Sequence, residues 1–308
     1  MSPVSLPKTS AVLDRLAAPA GSSLPLPRVL LVFAHPDDEV LAIGARLERL
    51  TASRLLTVTD GAPRDGADAL HHSFSSLDAY REARRQELSC ALHDAGLTDT
   101  FYAPLAPQCP FPVADQTGPL HLRALIHLAA KQIQAFAPDA ILTHPYEGGH
   151  PDHDACAFAV HTALRLLQKP PRTIGSPGSG PLLCEAPFYH ADANGSLCTG
   201  AFLPRMSSLA ERRCVLSPEE SATKQRRLSC FRSQTATLAQ FAVDQEHFRV
   251  APVYDFTAPP NPGQLFYEQF PWGMTGARFR ALASEALNQL GHLSATRQLA
   301  LGTDPQSL

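Results

Sequence analysis

The 308-residue chain is poor in several things, and each shortage excludes something. Lys and Arg (26) do not outnumber Asp and Glu (29), so no basic surplus is present to hold a nucleic acid or an anionic membrane surface. No apolar run approaches the ~20 residues that cross a bilayer, and no membrane association is expected. Met1 to Ala20 lacks a basic stretch followed by an apolar core, so no secretory leader is read there and the expected location is the cytoplasm. The seven Cys are widely spaced and form no C-x-x-C, which argues against a disulfide framework and against a cysteine zinc knuckle. Charged residues make up 18% and hydrophobic residues 44%, the balance of a globular chain with a sizeable core.

Against that background, strands and helices alternate. Val29–Phe33 is a short unbroken apolar run, the pattern of a strand buried on both faces. Val40, Ile43, Leu47 and Leu50 then line one helix face, and Leu55–Thr59 reads as a second strand, which makes a parallel crossover unit. Helices are predicted over Tyr80 to Ala95, ending at Gly96, and after Pro119 as far as Phe136. A short strand is read at Thr100–Tyr102, another at Ala140–Thr143, and a helix from Asp152 or His153. Leu182–His190 and Cys198–Leu203 read as strands, and Lys169 to Pro181 as a linker. Ser217-Pro218-Glu219-Glu220 has the form of a capping box opening a helix that could reach Arg232, and Arg278–Leu290 is a last helix. In Met1 to Pro27 only Val12 to Leu16 suggests a helical turn, and the rest is read as a surface extension. The expected class is α/β with a mainly parallel sheet, whose ligands sit at the carboxyl ends of strands.

Two clusters of ionisable residues fall at such ends. His35-Pro36-Asp37-Asp38-Glu39 follows the first strand, and His150-Pro151-Asp152-His153-Asp154 follows Ala140–Thr143. His35 and Asp38, three apart in a tight turn, could converge with His153 on one divalent ion, since imidazole and carboxylate are the usual ligands of zinc and a catalytic site keeps one position open. Bound metal lowers the pKa of water to about 7. Asp37, beside a ligand but not required as one, is the natural general base; the plainer alternative is that it only caps the following helix. His150 is placed to polarise or protonate the group that water attacks, with Asp152 holding its ring. Glu39 is read as support for a ligand. No G-x-G-x-x-G follows Val29–Phe33, which disfavours a nicotinamide enzyme.

Ala34-His35-Pro36-Asp37-Asp38-Glu39 together with His150-Pro151-Asp152-His153 resembles the PIG-L/LmbE-like family of metal-dependent N-deacetylases. The resemblance covers about residues 28 to 165. It implies a Rossmann-like α/β fold with helices on both faces of the sheet, and one zinc ion per chain, with ferrous iron as the alternative. It also implies hydrolysis of the N-acetyl group of an amino sugar or sugar conjugate. On this likeness His35, Asp38 and His153 are the metal ligands, Asp37 the base, His150 the oxyanion-side imidazole and Asp152 its partner. Arg84, in Arg84-Arg85-Gln86-Glu87, becomes a candidate substrate anchor, with Arg81 and Arg85 as neighbours that could serve instead. Tyr146 in the second loop becomes a candidate donor to the oxyanion. Phe231 stands where His is common in the family.

The expected organisation is an extension over 1–27, an LmbE-like domain over 28–250, and a Pro- and aromatic-rich segment with a helix over 251–308 packed on that domain. The expected partner is a small N-acetylated sugar, and a homo-oligomer is compatible with the sequence. Two other readings stand beside this one: an amidase acting on a larger sugar or thiol conjugate, and a carbohydrate-binding module without catalysis. His71, His72, His144, His161 and His190 are read as structural. Trp272, the only Trp, could stack on a sugar but is read as core packing.

Overall fold

Every residue of Val29–Phe33 is buried, and its neighbours explain why. The computed structural model describes residues 9–97, 113–167, 180–204 and 209–301. Their elements begin with α1 (Thr9–Ala17), β1 (Val29–Phe33), α2 (Asp38–Ile43), β2 (Arg54–Thr57), β3 (Thr59–Pro63), α3 (Ala67–His71) and α4 (Leu77–Asp94). Next come β4 (Val113–Asp115), α5 (Leu122–Phe136), β5 (Ala140–Thr143), α6 (Pro151–Leu166), β6 (Leu182–Glu185), β7 (Tyr189–Ala191) and β8 (Leu197–Thr199). The last are β9 (Glu211–Val215), α7 (Pro218–Leu228), α8 (Thr235–Leu238), β10 (Gln245–Val250) and α9 (Gly276–Leu301).

The main sheet has the order β2-β1-β5-β6-β10-β9. Its first four strands are parallel, and β10 runs antiparallel to both β6 and β9. Side chains alternate across the sheet, so the two faces of β1 enter different apolar clusters. Leu30 and Val32 pack with Ile126 of α5, Phe158 of α6 and Phe279 of α9. Val29, Leu31 and Phe33 pack with Leu13 of α1, Val40 of α2, Leu88 of α4 and Leu228 of α7. Helices thus cover both faces, the Rossmann-like arrangement expected. β1 lies between β2 and β5, where the strand order reverses, and a crevice opens at such a switch point.

Some local expectations change. The strand read at Leu55–Thr59 is two strands, because β3 leaves the main sheet to pair in parallel with β4. The strand read over Leu182–His190 is interrupted at Ala186-Pro187-Phe188, where Pro187 has no N–H for a ladder, and β7 then pairs with β8. The helix opened by the Ser217 capping box stops at Leu228 rather than near Arg232. β9 and β10 carry too many charged residues for their apolar pattern to show in sequence. Gly96 has φ +68°, the left-handed geometry its position after a helix called for. The N-terminal helix is more than a surface turn: Val12, Leu13 and Leu16 are buried beneath the sheet's helical layer. Phe256, Leu265 and Tyr267 join the cluster of α5 and α6. Cys90 of α4 is joined by a disulfide to Cys230, a bridge not expected from the spacing of the cysteines. Thr100–Tyr102 lies outside the described residues, as does most of the linker.

Candidate metal and catalytic centre

The register Val32↔Thr143 ends β1 and β5 level, so the loops that follow lie side by side. The backbone N–H of Ala34 donates to His144 Nε2 (2.9 Å), tying the first loop to the second. The second loop is held from within the protein by buried carboxylates. Asp154 accepts from the N–H groups of Glu147 (3.2 Å) and Gly148 (3.1 Å), and Glu147 accepts from Phe188 and Tyr189 (both 3.1 Å). Gly149 passes so close to β7 that an added Cβ would lie 1.8 Å from the Tyr189 carbonyl oxygen. Two backbones meet there and neither can yield, so Gly149→Ala is expected to cost more than about 4 kcal/mol, seen as a collapse of Tm or failure to fold. A Tm within a few degrees of the parent would show that the loop can move away.

Three donor atoms converge between the loops. His153 Nε2 lies 3.3 Å from His35 Nδ1 and 3.5 Å from Asp38 Oδ1, and His35 Nδ1 lies 3.4 Å from Asp38 Oδ2. Ligands about 2.0–2.2 Å from a tetrahedral ion stand roughly 3.3–3.6 Å apart, and each of these separations is of that size, although the two contacts to Asp38 run to its two different oxygens. His35 Nε2 is placed to donate to Asp115 Oδ1 (3.1 Å) and Asp152 Oδ2 (3.3 Å), with its Nδ1 turned toward His153 and Asp38. Burial pulls this imidazole down, but Asp115, Asp152 and Asp38 hold it well above its usual range, so a cation at Nδ1 would displace a proton. Burial, then the crowding of His144, brings His153 down to about 3, keeping it neutral with a lone pair to give. Asp38 stays ionised: burial opposes this, but His153 and His144 hold it well below its usual range. Two imidazole nitrogens and a carboxylate brought this close supply the donor types of a divalent metal site, so the residues fit such an ion.

Other donors crowd the same place. His35, His150 and His153 form one compact group, and Asp38, His144 and His153 another. His144, read as structural, stacks on His153 with ring centres 3.9 Å apart, and its Nε2 is engaged by the Ala34 N–H. His150 caps α6: its Nδ1 accepts from the Asp152 N–H (3.2 Å), so its hydrogen is carried on Nε2. Asp152 was expected to hold the His150 ring. Its carboxylate instead accepts from the N–H groups of Gln116 and Gly118 (both 2.7 Å) and lies nearer His35 (3.3 Å) than His150 (3.9 Å). It is a brace for His35.

Asp37 stands at the cap position of α2, yet its side chain makes no capping bond. Its φ of 129° is one that a residue with a Cβ rarely adopts, and the surroundings enforce it. Glu39 Oε2 accepts its N–H (3.2 Å), and Arg84 Nη2 donates both to its carboxylate (3.0 Å) and to the Pro36 carbonyl (2.7 Å). Burial pushes the Asp37 carboxyl up to about 6 against the pull of Arg84, and burial followed by Asp37 itself pushes Glu39 up to about 8.

A cavity of about 250 Å³ opens on this group, lined by His35, Asp37, Asp38 and His150 among others. Arg84, expected as a substrate anchor, does not line it: the guanidinium is buried behind Asp37 and engaged with Glu87 (3.4 Å) as well. Tyr146, expected as an oxyanion donor, is also absent from the lining. It is buried among Phe256 and Phe279 and gives its hydroxyl to the Ala258 carbonyl (3.0 Å). Arg81 is engaged by Asp60 (2.8 Å) and Asp78 (3.1 Å), and Arg85 by Glu82. Phe231 is fully buried in the apolar cluster with Leu228. Trp272, read as core packing, does pack partly buried against the cluster of α5 and α6, and it also lines the cavity with its ring 4.9 Å from that of His150. Asp115 and Tyr189 also line it and were not foreseen; no motif marks them.

Residues 30–164 match the family model described as PIG-L, GlcNAc-PI de-N-acetylase. A probable N-acetyl-alpha-D-glucosaminyl L-malate deacetylase 2 of Bacillus cereus is 30% identical over 152 residues, 47% of this chain and 64% of that protein. A 1D-myo-inositol 2-acetamido-2-deoxy-alpha-D-glucopyranoside deacetylase 2 of Saccharopolyspora erythraea is 32% identical over 158 residues, 44% of this chain and 55% of that protein. The chain therefore spans less than two thirds of the length of either relative. A solved triple mutant of a deacetylase of the teicoplanin biosynthetic pathway has a TM-score of 0.52 at 19% identity, covering 72% of this chain and 97% of that one. A solved A40926 pseudoaglycone deacetylase has 0.50 at 19% identity, covering 73% and 96%. These two show likeness of fold.

Proposed function

From the PIG-L family domain carried by residues 30–164, we propose that this chain is a zinc-dependent hydrolase that removes the N-acetyl group of an amino sugar or sugar conjugate. The observation that supports it most is the triangle of His35 Nδ1, Asp38 and His153 Nε2, with sides of 3.3 to 3.5 Å, beside a buried carboxylate that is not part of it. A divalent ion held there would polarise the amide carbonyl and acidify water. Asp37 takes the proton from the attacking water and delivers it to the amine as the C–N bond breaks, giving acetate and the free amino sugar. His150, its Nε2–H fixed by the backbone bond at Nδ1, donates to the oxyanion that forms on the acetyl carbon. Asp152 and Asp115 keep His35 in the tautomer that presents Nδ1. Arg84 and Glu39 hold Asp37 in its strained conformation.

Metal analysis alongside acetate release tests the proposal. About one divalent ion per chain is expected, with release of acetate from N-acetylglucosamine derivatives that stops on chelation and returns with Zn²⁺. Release untouched by chelation removes the metal from the reading. A metal-loaded protein that frees no acetate from any acetylated amino sugar removes the activity, and leaves sugar binding without catalysis. Asp152→Asn can accept only one of the two backbone N–H groups, of Gln116 and Gly118, and removes the charge that braces His35. Metal affinity is expected to fall by about 10–100-fold, measured by competition with a chelating dye. Unchanged affinity would mean that Asp152 does not brace a ligand.

A further inference from the structure

The cavity is one-sided in charge and aromatic in part of its wall. Asp37, Asp38, Asp68 and Asp115 line it, and among the described residues no Lys or Arg does. Arg84 compensates Asp37 from behind, and a metal ion would be matched first by Asp38. Asp68 and Asp115 also face the cavity, Asp115 engaged by His35 Nε2 (3.1 Å) and 3.6 Å from His150 Nε2. Burial, and after it the charge of Asp115, holds the Asp68 carboxyl above its usual range, so these two groups already repel one another. Such a pair accepts hydrogen bonds from sugar hydroxyls and opposes a further anion.

The rings form a continuous path outward. Trp272 lies 4.9 Å from His150 and stacks on Phe270 at 4.5 Å with 13° between planes. Phe270 is 38% exposed, contacts Phe266 at 5.3 Å, and Phe266 in turn contacts Tyr189 of the cavity wall at 5.7 Å. A large apolar side chain left this open against the cavity-lining Trp272 offers a flat surface to a second ring.

We propose that the site selects N-acetylated sugars whose aglycone is uncharged and apolar, best of all aromatic, seated on Trp272 and Phe270, and that it rejects conjugates bearing a phosphate or carboxylate there. The inference rests on the deacetylase reading but is tested apart from it. Trp272 is the only Trp in the chain, so intrinsic fluorescence reports this wall and no other. Metal-loaded protein is titrated with phenyl N-acetyl-glucosaminide, N-acetylglucosamine and N-acetylglucosamine 1-phosphate. The phenyl glycoside should shift Trp272 emission and bind about tenfold more tightly than the plain sugar, with the phosphate binding more weakly than the plain sugar. In acetate release, Trp272→Ala should shrink the preference for the phenyl glycoside, mainly through KM. Equal or tighter binding of the phosphate overturns the inference, and so does a phenyl glycoside that leaves Trp272 emission unchanged. Fluorescence selectivity as expected, with no acetate released from any of the three, upholds this inference and overturns the deacetylase reading instead.

Discussion

Asp37→Asn is expected to lower kcat by about 10²–10⁴-fold while metal content stays near that of the parent. The amide oxygen can still accept from Arg84, and the backbone keeps the same φ, so neither the loop nor the triangle of donors has reason to move. What is lost is the ability to take a proton. Asn is the informative choice because Ala would leave Arg84, which is 2% exposed, facing an unfilled space. Removing one partner of a buried ion pair can cost about 3–5 kcal/mol, which would confuse stability with catalysis. A variant that turns over acetylated sugar at close to the parental rate would take Asp37 out of the chemistry and leave it a strained turn residue.

The second large effect is expected from Asp38→Ala. This carboxylate serves three groups at once: it accepts the His35 N–H (2.7 Å) and lies 3.3 Å from His144 and 3.5 Å from His153. Without it the site keeps two imidazoles and no anionic ligand. Bound metal should fall from about one per chain to background after dialysis, with activity falling to that of the chelated protein. A readout independent of turnover follows from linkage. A ligand present at a thousandfold excess over its Kd stabilises the folded state by about 4 kcal/mol, so the parent's Tm should rise on adding Zn²⁺ and the variant's should not. The same rise in both proteins would place the ion elsewhere, on His35, His150 and His153 for example.

Legibility followed the range of the physics involved. Burial of β1 on both faces, the start of α6 (read at Asp152 or His153, found at Pro151) and the Ser217 capping box are all set within a few residues, and all were readable to within a residue or two. β9 and β10 were not, because their apolar positions alternate with charges that find partners only across the sheet, as Arg249 does with Glu185 at 2.9 Å. Arg84 shows the same limit at the site. Its spacing on α4 marked it as special, but the choice between reaching into the cavity and backing Asp37 depends on where the helix docks. Gly61 lies against its guanidinium, within 2.9 Å of where a Cβ would be, and leaves it one way to turn.

By itself, the sequence determined which donors stand at the mouths of two adjacent strands, since a tight turn and a helix start place His35, Asp38 and His153 by local spacing. The tertiary structure alone decided which carboxylate braces which imidazole, that Tyr146 faces the core, and that Asp68, Asp115 and Trp272 meet around one cavity. Those contacts join residues distant in the chain, and they follow from strand register and helix docking, which no local pattern encodes.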